Sequence, residues 1–208
     1  EDFDCVARAQ DRGVRTAAQV FDPAGVAAAD AAGADVIVVR GREAGGHGRF
    51  LVDRDELLET AAGLTARPVL AAGAIATAAD VRGVLERGAS GAWVGTAFAA
   101  CREALSSPGT RRALIDAGAD DTLLTSAFDQ AAGYGWPADI PERVLANEFT
   151  RRWASGAASG AASGGGQELA AANAGDDPGG MSINAGLGVG HLRAEHTAAE
   201  VLAALAPA

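Results

Sequence analysis

The chain is poor in cysteine and in basic charge, and each shortage excludes a class of protein. Its 208 residues include two cysteines and no lysine, and acidic residues outnumber basic ones by 27 to 17, which gives a formal net charge of −10. An acidic surface repels phosphate backbones, and no basic cluster alternates with aromatic residues, so a nucleic-acid-binding protein is not indicated. Cys5 and Cys101 are too few for a disulfide framework and are expected to be reduced and structural.

Long apolar runs are also missing, although 49% of the residues are hydrophobic. The longest runs are too short, or too interrupted by glycine and charge, to cross a bilayer, and Glu1–Gln10 lacks the features of a signal peptide. The sequence therefore predicts a soluble, cytoplasmic protein. The three histidines and two cysteines show no metal-ligand spacing, so no metal site is predicted.

What the sequence does contain is a repeated unit of strand, glycine turn and helix. Alternation of this kind predicts a parallel sheet, with ligands at the carboxyl ends of its strands. Strands are predicted at residues 14–20 and 35–39, in the run 67–75, which a glycine turn closes, and from residue 89 to a turn at residues 95–96. Helices are predicted at residues 3–12 and 23–32, from a capping box at 77–80 to about residue 88, and from about residue 98.

The strand at 35–39 ends in a glycine-rich loop, Arg40 to Gly48, that carries one histidine. Glycines let backbone N–H groups approach a ligand closely, and His47 can exchange a proton near neutral pH. Glu43 is expected to hold this loop by accepting hydrogen bonds from backbone N–H groups. Taken alone, such a histidine is more often an ordinary surface residue than a catalyst, and only the surrounding motif favours the catalytic role.

Two further strand ends carry glycine turns, Gly73-Ala74 and Gly95-Thr96. In a (β/α)₈ barrel the loops after the last two strands often hold a phosphate, helped by the partial positive charge of helix N-termini. Each turn could also be an ordinary connection, and Thr96 could simply cap the next helix. Gly186–Gly190 superficially matches a dinucleotide fingerprint, but it lacks the strand and the ribose-binding acid that such a motif requires.

Three ordered motifs resemble the nitronate monooxygenase family, formerly called 2-nitropropane dioxygenases. They are Glu43–His47, Pro68–Ile75 and Gly91–Phe98, and the later segments Arg143–Thr150 and Asn184–Gly190 also resemble this family. The resemblance implies an α/β fold of the parallel (β/α)₈ TIM-barrel type that binds FMN. It also implies oxidation of alkyl nitronates, and in some members of nitroalkanes, with molecular oxygen.

The resemblance also assigns roles to individual residues. His47 would be the catalytic base that accepts the α-proton of a neutral nitroalkane. Gly45 and Gly46 would approach the flavin, whereas the Gly95 N–H group and the Thr96 hydroxyl would hold the phosphate. Trp93 and Phe98 are more simply explained as core residues, and His191 and His196 receive no role. The full set of cofactor-binding positions is Arg40, Gly45, Gly46, Ala72, Gly73, Ala74, Trp93, Val94, Gly95 and Thr96.

Three positions depart from the family pattern. Ala74 stands where the family usually has a second glycine, and if its φ is positive the alanine is strained by about 1 kcal/mol or more. Arg40 replaces a glutamine that commonly contacts the flavin, and Leu187 replaces a residue that is often polar. These changes could alter flavin affinity or the choice of substrate.

The chain is also short for a barrel, which typically needs about 200 to 250 residues, because four β/α units are half the usual number. We predict a partial, flavin-binding barrel at residues 1–153 and a flexible Gly/Ala/Ser-rich segment at 154–180 with a helical patch at 167–173. A C-terminal segment at 181–208 would return to the barrel and end in a helix at about 194–205. A separate N-terminal half, or a second copy in a homodimer, could complete the barrel.

Other activities remain compatible with these motifs. NAD(P)H:quinone reductases and flavin-dependent enoyl reductases of the same superfamily would share the Glu43–His47 loop. In a different class, the chain would be a flavin-free fragment or an interaction module.

Overall fold

The structure is a computed structural model that describes residues 3–154 and 164–207. The low-complexity residues 155–163, part of the segment predicted to be flexible, lie outside the described residues. The described strands are β1 (Ala17–Val20), β2 (Val36–Arg40), β3 (Gly46–His47), β4 (Val69–Ala72), β5 (Gly91–Trp93), β6 (Thr122–Thr125) and β7 (Glu142–Leu145).

Ten helices lie among the same residues, together with short 3₁₀ segments at Ala119–Asp121 and Leu187–His191. None of these helices is long and apolar enough to cross a bilayer. They are α1 (Asp4–Gln10), α2 (Pro23–Ala31), α3 (Arg54–Ala61), α4 (Ala78–Glu86), α5 (Thr96–Ala99), α6 (Pro108–Asp116), α7 (Ala127–Ala132), α8 (Glu148–Ala154), α9 (Gly165–Gly175) and α10 (Ala198–Leu205).

The chain divides into two compact units. The first contains the described residues of 1–44, 50–94 and 204–208, and the second contains those of 45–49 and 95–203.

The first unit is built on a parallel sheet with the strand order β1-β2-β4-β5. All three neighbouring pairs are parallel, which confirms the four predicted strands and the predicted α/β class. The β-branched run of β2 forms the centre of the core, where Ile37 and Val39 are fully buried against Leu57 of α3 and Val84 of α4. Such unbroken apolar strands are typical of a sheet that is covered on both faces.

The register of this sheet aligns the carboxyl ends of three strands. Arg40 pairs with Ala72, and Ala72 pairs in turn with Trp93. Three of the predicted site positions therefore lie side by side along one edge of the sheet. This is the edge at which open α/β sheets bind their ligands.

The helices of the first unit begin at the sequence signals that predict them. The Thr77 hydroxyl accepts a hydrogen bond from the Asp80 N–H, and the Asp80 carboxylate accepts one from the Thr77 N–H. This reciprocal pair is the predicted capping box, and α4 begins directly after it. Likewise, the Asp22 carboxylate accepts from the Gly25 N–H at 2.7 Å and so caps α2.

The second unit contains a different sheet, which the strand predictions do not include. Its three strands are antiparallel, in the order β3-β7-β6. The predicted alternation of strand and helix ends after β5. The helix that follows, α5, has only four residues. The helix α9 is longer than the predicted patch at 167–173, and α10 begins at Ala198 rather than at 194 because Thr197 accepts from the Glu200 N–H and caps it.

Ala74, which follows β4, has a left-handed backbone with φ of 49°. Because the alanine Cβ is disfavoured there and glycine is not, we expect Ala74→Gly to raise the free energy of unfolding by about 1 kcal/mol. Urea denaturation measures this change. The matched control is Ala79→Gly on the exposed face of α4, which should lower stability by about 0.5–1 kcal/mol. A loss of stability at both positions would contradict the assigned strain.

Candidate active site

The first unit presents a buried positive charge at the carboxyl edge of its sheet. Arg40 ends β2 and is 3% exposed. Its guanidinium carbon lies 5.4 Å from the centroid of the Phe21 ring and 5.2 Å from that of Phe50, distances at which a cation and an aromatic face attract. The two rings thus hold Arg40 at the end of its strand.

Trp93 and Val94 lie at the carboxyl end of β5. Trp93 is 52% exposed, so the prediction that it is a core residue is wrong. The physical reason is its position, because β5 pairs with β4 alone among the described residues, so no other described strand covers its second edge. Val94 is partly buried against the core of the unit, as is its neighbour Ala92.

The turn after β4 is shaped by close backbone contacts. Gly73 has φ of 118°, and a Cβ on it would lie 3.1 Å from the Ala44 nitrogen. The Arg54 guanidinium donates to the Gly73 carbonyl at 2.6 Å, while the backbone N–H of Arg54 donates to the Glu43 carboxylate at 3.2 Å. The prediction that Glu43 holds its loop by accepting from a backbone N–H is therefore confirmed, and Arg54 ties that loop to the Gly73 turn.

In the second unit, two predicted site residues converge on Gly186. A Cβ on Gly45 would lie 2.5 Å from the Gly186 nitrogen, so no larger residue fits at Gly45. The Gly186 N–H donates to the Thr96 hydroxyl at 3.1 Å. A hydroxyl that accepts one hydrogen bond can still donate its own proton to a ligand. A Cβ on Gly95 would meet nothing within 4 Å, so the backbone beside Thr96 is open.

His47 lies on β3, and its ring is fixed by two side chains from distant parts of the sequence. Its Nε2 atom lies 3.0 and 2.9 Å from the two carboxylate oxygens of Asp129, which is on α7 and 4% exposed. The Trp136 ring stacks on the imidazole with a centroid separation of 4.2 Å and an interplanar angle of 13°. Neither Asp129 nor Trp136 is among the site residues predicted from the sequence.

Glu142 lies opposite His47 across the β3–β7 pairing and is 3% exposed. The Ser182 hydroxyl donates to its Oε2 atom at 3.0 Å, whereas Oε1 has no hydrogen-bond partner among the described residues. Burial raises the pKa of the Glu142 carboxyl, and the nearby charge of Asp129 raises it further, against the opposing effects of Ser182 and His47.

The ligand atoms of His47, Asp129 and Glu142 lie within 4.8 Å of one another, and all three side chains are of types that bind metals. Spacing along the sequence does not reveal such a cluster. His47 and Asp129 are joined by a hydrogen bond of normal length. One proton lies between the imidazole and the carboxylate in such a pair.

Comparison with known proteins identifies relatives along most of the chain. A family model described as nitronate monooxygenase matches residues 4–208. The chain is 38% identical over 155 residues to the nitronate monooxygenase of Paraburkholderia phytofirmans, a match that covers 71% of this chain and 40% of the relative. It is 36% identical over 133 residues to that of Pseudomonas aeruginosa, with 60% and 38% covered. The chain thus spans about two fifths of the length of these relatives.

Solved structures show the same relationship. A nitroalkane oxidase from Streptomyces ansochromogenes superposes with a TM-score of 0.80 at 30% identity, over 99% of this chain and 60% of the other. FabK from Thermotoga maritima superposes with a TM-score of 0.81 over 96% of this chain and 62% of the other, but at 24% identity it shows the fold alone. Since the family model covers nearly the whole chain and the predicted motifs lie within it, this chain belongs to the nitronate monooxygenase family.

Proposed function

We propose that this chain supplies the catalytic base and part of the FMN site for the oxidation of alkyl nitronates, and of neutral nitroalkanes, by molecular oxygen. The observation that carries the proposal is the placement of His47. Its side chain is 23% exposed, so a substrate can reach it. The hydrogen bonds of the His47 imidazole to the described residues all involve Nε2, which leaves Nδ1 to accept a proton from the substrate.

A neutral nitroalkane must lose a proton from its α-carbon before oxidation. A neutral imidazole can accept that proton, and a positioned base contributes typically about 10²- to 10⁴-fold to such a step. A nitronate has already lost the proton. The base is therefore needed for the neutral nitroalkane and not for the nitronate. A comparison of the two substrates distinguishes the role of the base from that of the other site residues.

The chain's residues fit a bound FMN in the second unit. Thr96 retains a hydroxyl proton that can be donated to a phosphate oxygen, and the open backbone at Gly95 would let its N–H group approach the same phosphate. Gly45 and Gly46 would contact the flavin from the His47 loop. FMN, when bound, supplies the electron chemistry of the reaction.

The first unit would contribute the residues at the carboxyl edge of its parallel sheet. Ala72, Gly73 and Ala74 would line the phosphate side, and Trp93 and Val94 would follow from the next strand. Arg40 would add a positive charge where the family commonly has a glutamine, and a positive charge favours an anionic ligand. Completion of the barrel by an N-terminal half or by a second copy stays a prediction, as does a cytoplasmic location.

We expect His47→Asn to separate the two substrates. Oxygen consumption by the FMN-loaded variant should fall by about 10²- to 10⁴-fold with neutral nitroethane, because the proton acceptor is lost. With preformed ethyl nitronate the rate should change only a few-fold. The matched control is His196→Asn, because His196 is exposed and pairs with Glu200 on α10.

Two results would contradict the proposal. An undiminished rate of His47→Asn with nitroethane, or an equal loss with both substrates, would exclude the base role. Failure of the FMN-loaded wild-type chain to oxidise either substrate would exclude the proposed activity. A wild-type chain that binds no FMN would instead favour a flavin-free module.

A further inference from the structure

Two buried carboxylates lie close to one imidazole in the second unit. Asp129 and Glu142 are each almost fully buried, and both lie beside His47. Two negative charges at close range in a poorly solvated site destabilise each other, so one of the two carboxyls is expected to hold a proton. The carboxyl that stays ionised determines which nitrogen of the His47 imidazole carries hydrogen.

The hydrogen bonds assign the negative charge to Asp129. Both of its oxygens lie within 3.0 Å of the His47 Nε2 atom, which can donate a hydrogen bond to them, whereas among the described residues Glu142 accepts a hydrogen bond only from the Ser182 hydroxyl. The charge of Asp129 and burial also raise the pKa of Glu142, which favours its neutral form. An ionised carboxylate can only accept hydrogen bonds, so the proton between His47 and Asp129 belongs to Nε2.

Two contacts restrict the orientation of the ring. Asp129 holds the Nε2 edge, and Trp136 covers one face of the imidazole. The β3–β7 pairing fixes the backbone of His47 opposite Glu142. With the face, one edge and the backbone held, the remaining nitrogen of the ring is presented in one direction.

We propose that Asp129 is the positioning residue of the base: it holds His47 in the tautomer with hydrogen on Nε2, so that Nδ1 accepts the α-proton of a nitroalkane. In this step the α-carbon–hydrogen bond breaks and its proton moves to Nδ1. The electron pair moves to the nitro group and gives the nitronate. Asp129 then lies beside the imidazolium that forms and balances its charge. This inference rests on the proposed function.

The assignment of the proton to Glu142 has its own test in the pH dependence of stability. A carboxyl whose pKa is raised by folding contributes stability that is complete below its unfolded pKa of about 4.5 and is lost as the pH rises through the folded value. Glutamine stays neutral at every pH. Glu142→Gln should therefore be more stable than the wild type at pH 8, and this gain should disappear below about pH 4.5. A difference that is constant across this range would overturn the assignment.

The proposal itself is tested by Asp129→Asn with two independent measurements. Nitrogen-15 NMR of the imidazole groups reports which ring nitrogen carries hydrogen, and the His47 signals are those missing from His47→Asn. The wild-type chain at pH 8 should show hydrogen on Nε2, and Asp129→Asn should shift the population toward hydrogen on Nδ1. In activity, the variant should lose about 10²-fold or more with nitroethane, yet stay within a few-fold of the wild type with ethyl nitronate.

The matched control is Asp139→Asn, which removes an exposed carboxylate that pairs with Arg49 in the same unit. It should change neither the tautomer nor the ratio of the two rates. An unchanged tautomer in Asp129→Asn, or an equal loss with both substrates, would overturn the positioning role. If the His47 signals of the purified wild-type chain change on treatment with EDTA, the three side chains hold a metal ion, which would also overturn it.

The NMR measurement separates this inference from the proposed function, because it needs neither flavin nor substrate. A tautomer shift in a chain that oxidises neither substrate would support the held imidazole and contradict the proposed activity. Substrate separation by His47→Asn with no tautomer shift in Asp129→Asn would support the activity and overturn the role of Asp129.

Discussion

The hydrogen bond between His47 and Asp129 is the interaction on which the account of the site depends. It joins a two-residue strand to a helix across 82 residues of sequence, and it provides a hydrogen-bond partner for a carboxylate that is 4% exposed. The short strand β3 contributes the histidine, and its pairing with β7 places Glu142 beside the pair. Because breaking a buried charged hydrogen bond leaves an unsatisfied group, this contact is both a structural and a chemical constraint.

In the first unit, the corresponding constraint is the parallel register of β2, β4 and β5. Register alone aligns Arg40, Ala72 and Trp93 along one edge, and no side-chain contact is needed to bring them there. The turn that follows β4 then depends on backbone conformation. Gly73 is required by its positive φ and by the nearby Ala44 backbone, whereas Ala74 keeps a conformation that strains an alanine.

The sequence predicts features whose signals are local. The apolar runs and glycine turns indicated the four parallel strands, because a buried strand and its turn are encoded within ten residues or so. The capping box at Thr77 and Asp80 is equally local, and it begins α4 where expected. The predicted role of Glu43 also holds, since its partner is the first residue of the next helix.

The partners of His47 could not be predicted in this way. Asp129, Trp136 and Glu142 approach it only through the folding of a segment whose short antiparallel strands carry weak patterns. The resemblance of the Glu43–His47 loop to a family motif can suggest the histidine, but nothing in the sequence near His47 specifies which carboxylate it contacts. The prediction that Trp93 is a core residue was wrong for another reason. The hydrophobic character of a strand does not show that it lies at the edge of its sheet.

The most direct test of the account is whether the chain holds FMN. A visible absorption spectrum of the purified 208-residue chain, recorded after incubation with FMN and desalting, should show oxidised flavin in near-stoichiometric amount. Thr96→Val should retain less, and the control Thr60→Val, which removes a hydroxyl on the exposed face of α3, should retain as much as the wild type. A folded chain that retains no flavin would contradict the account.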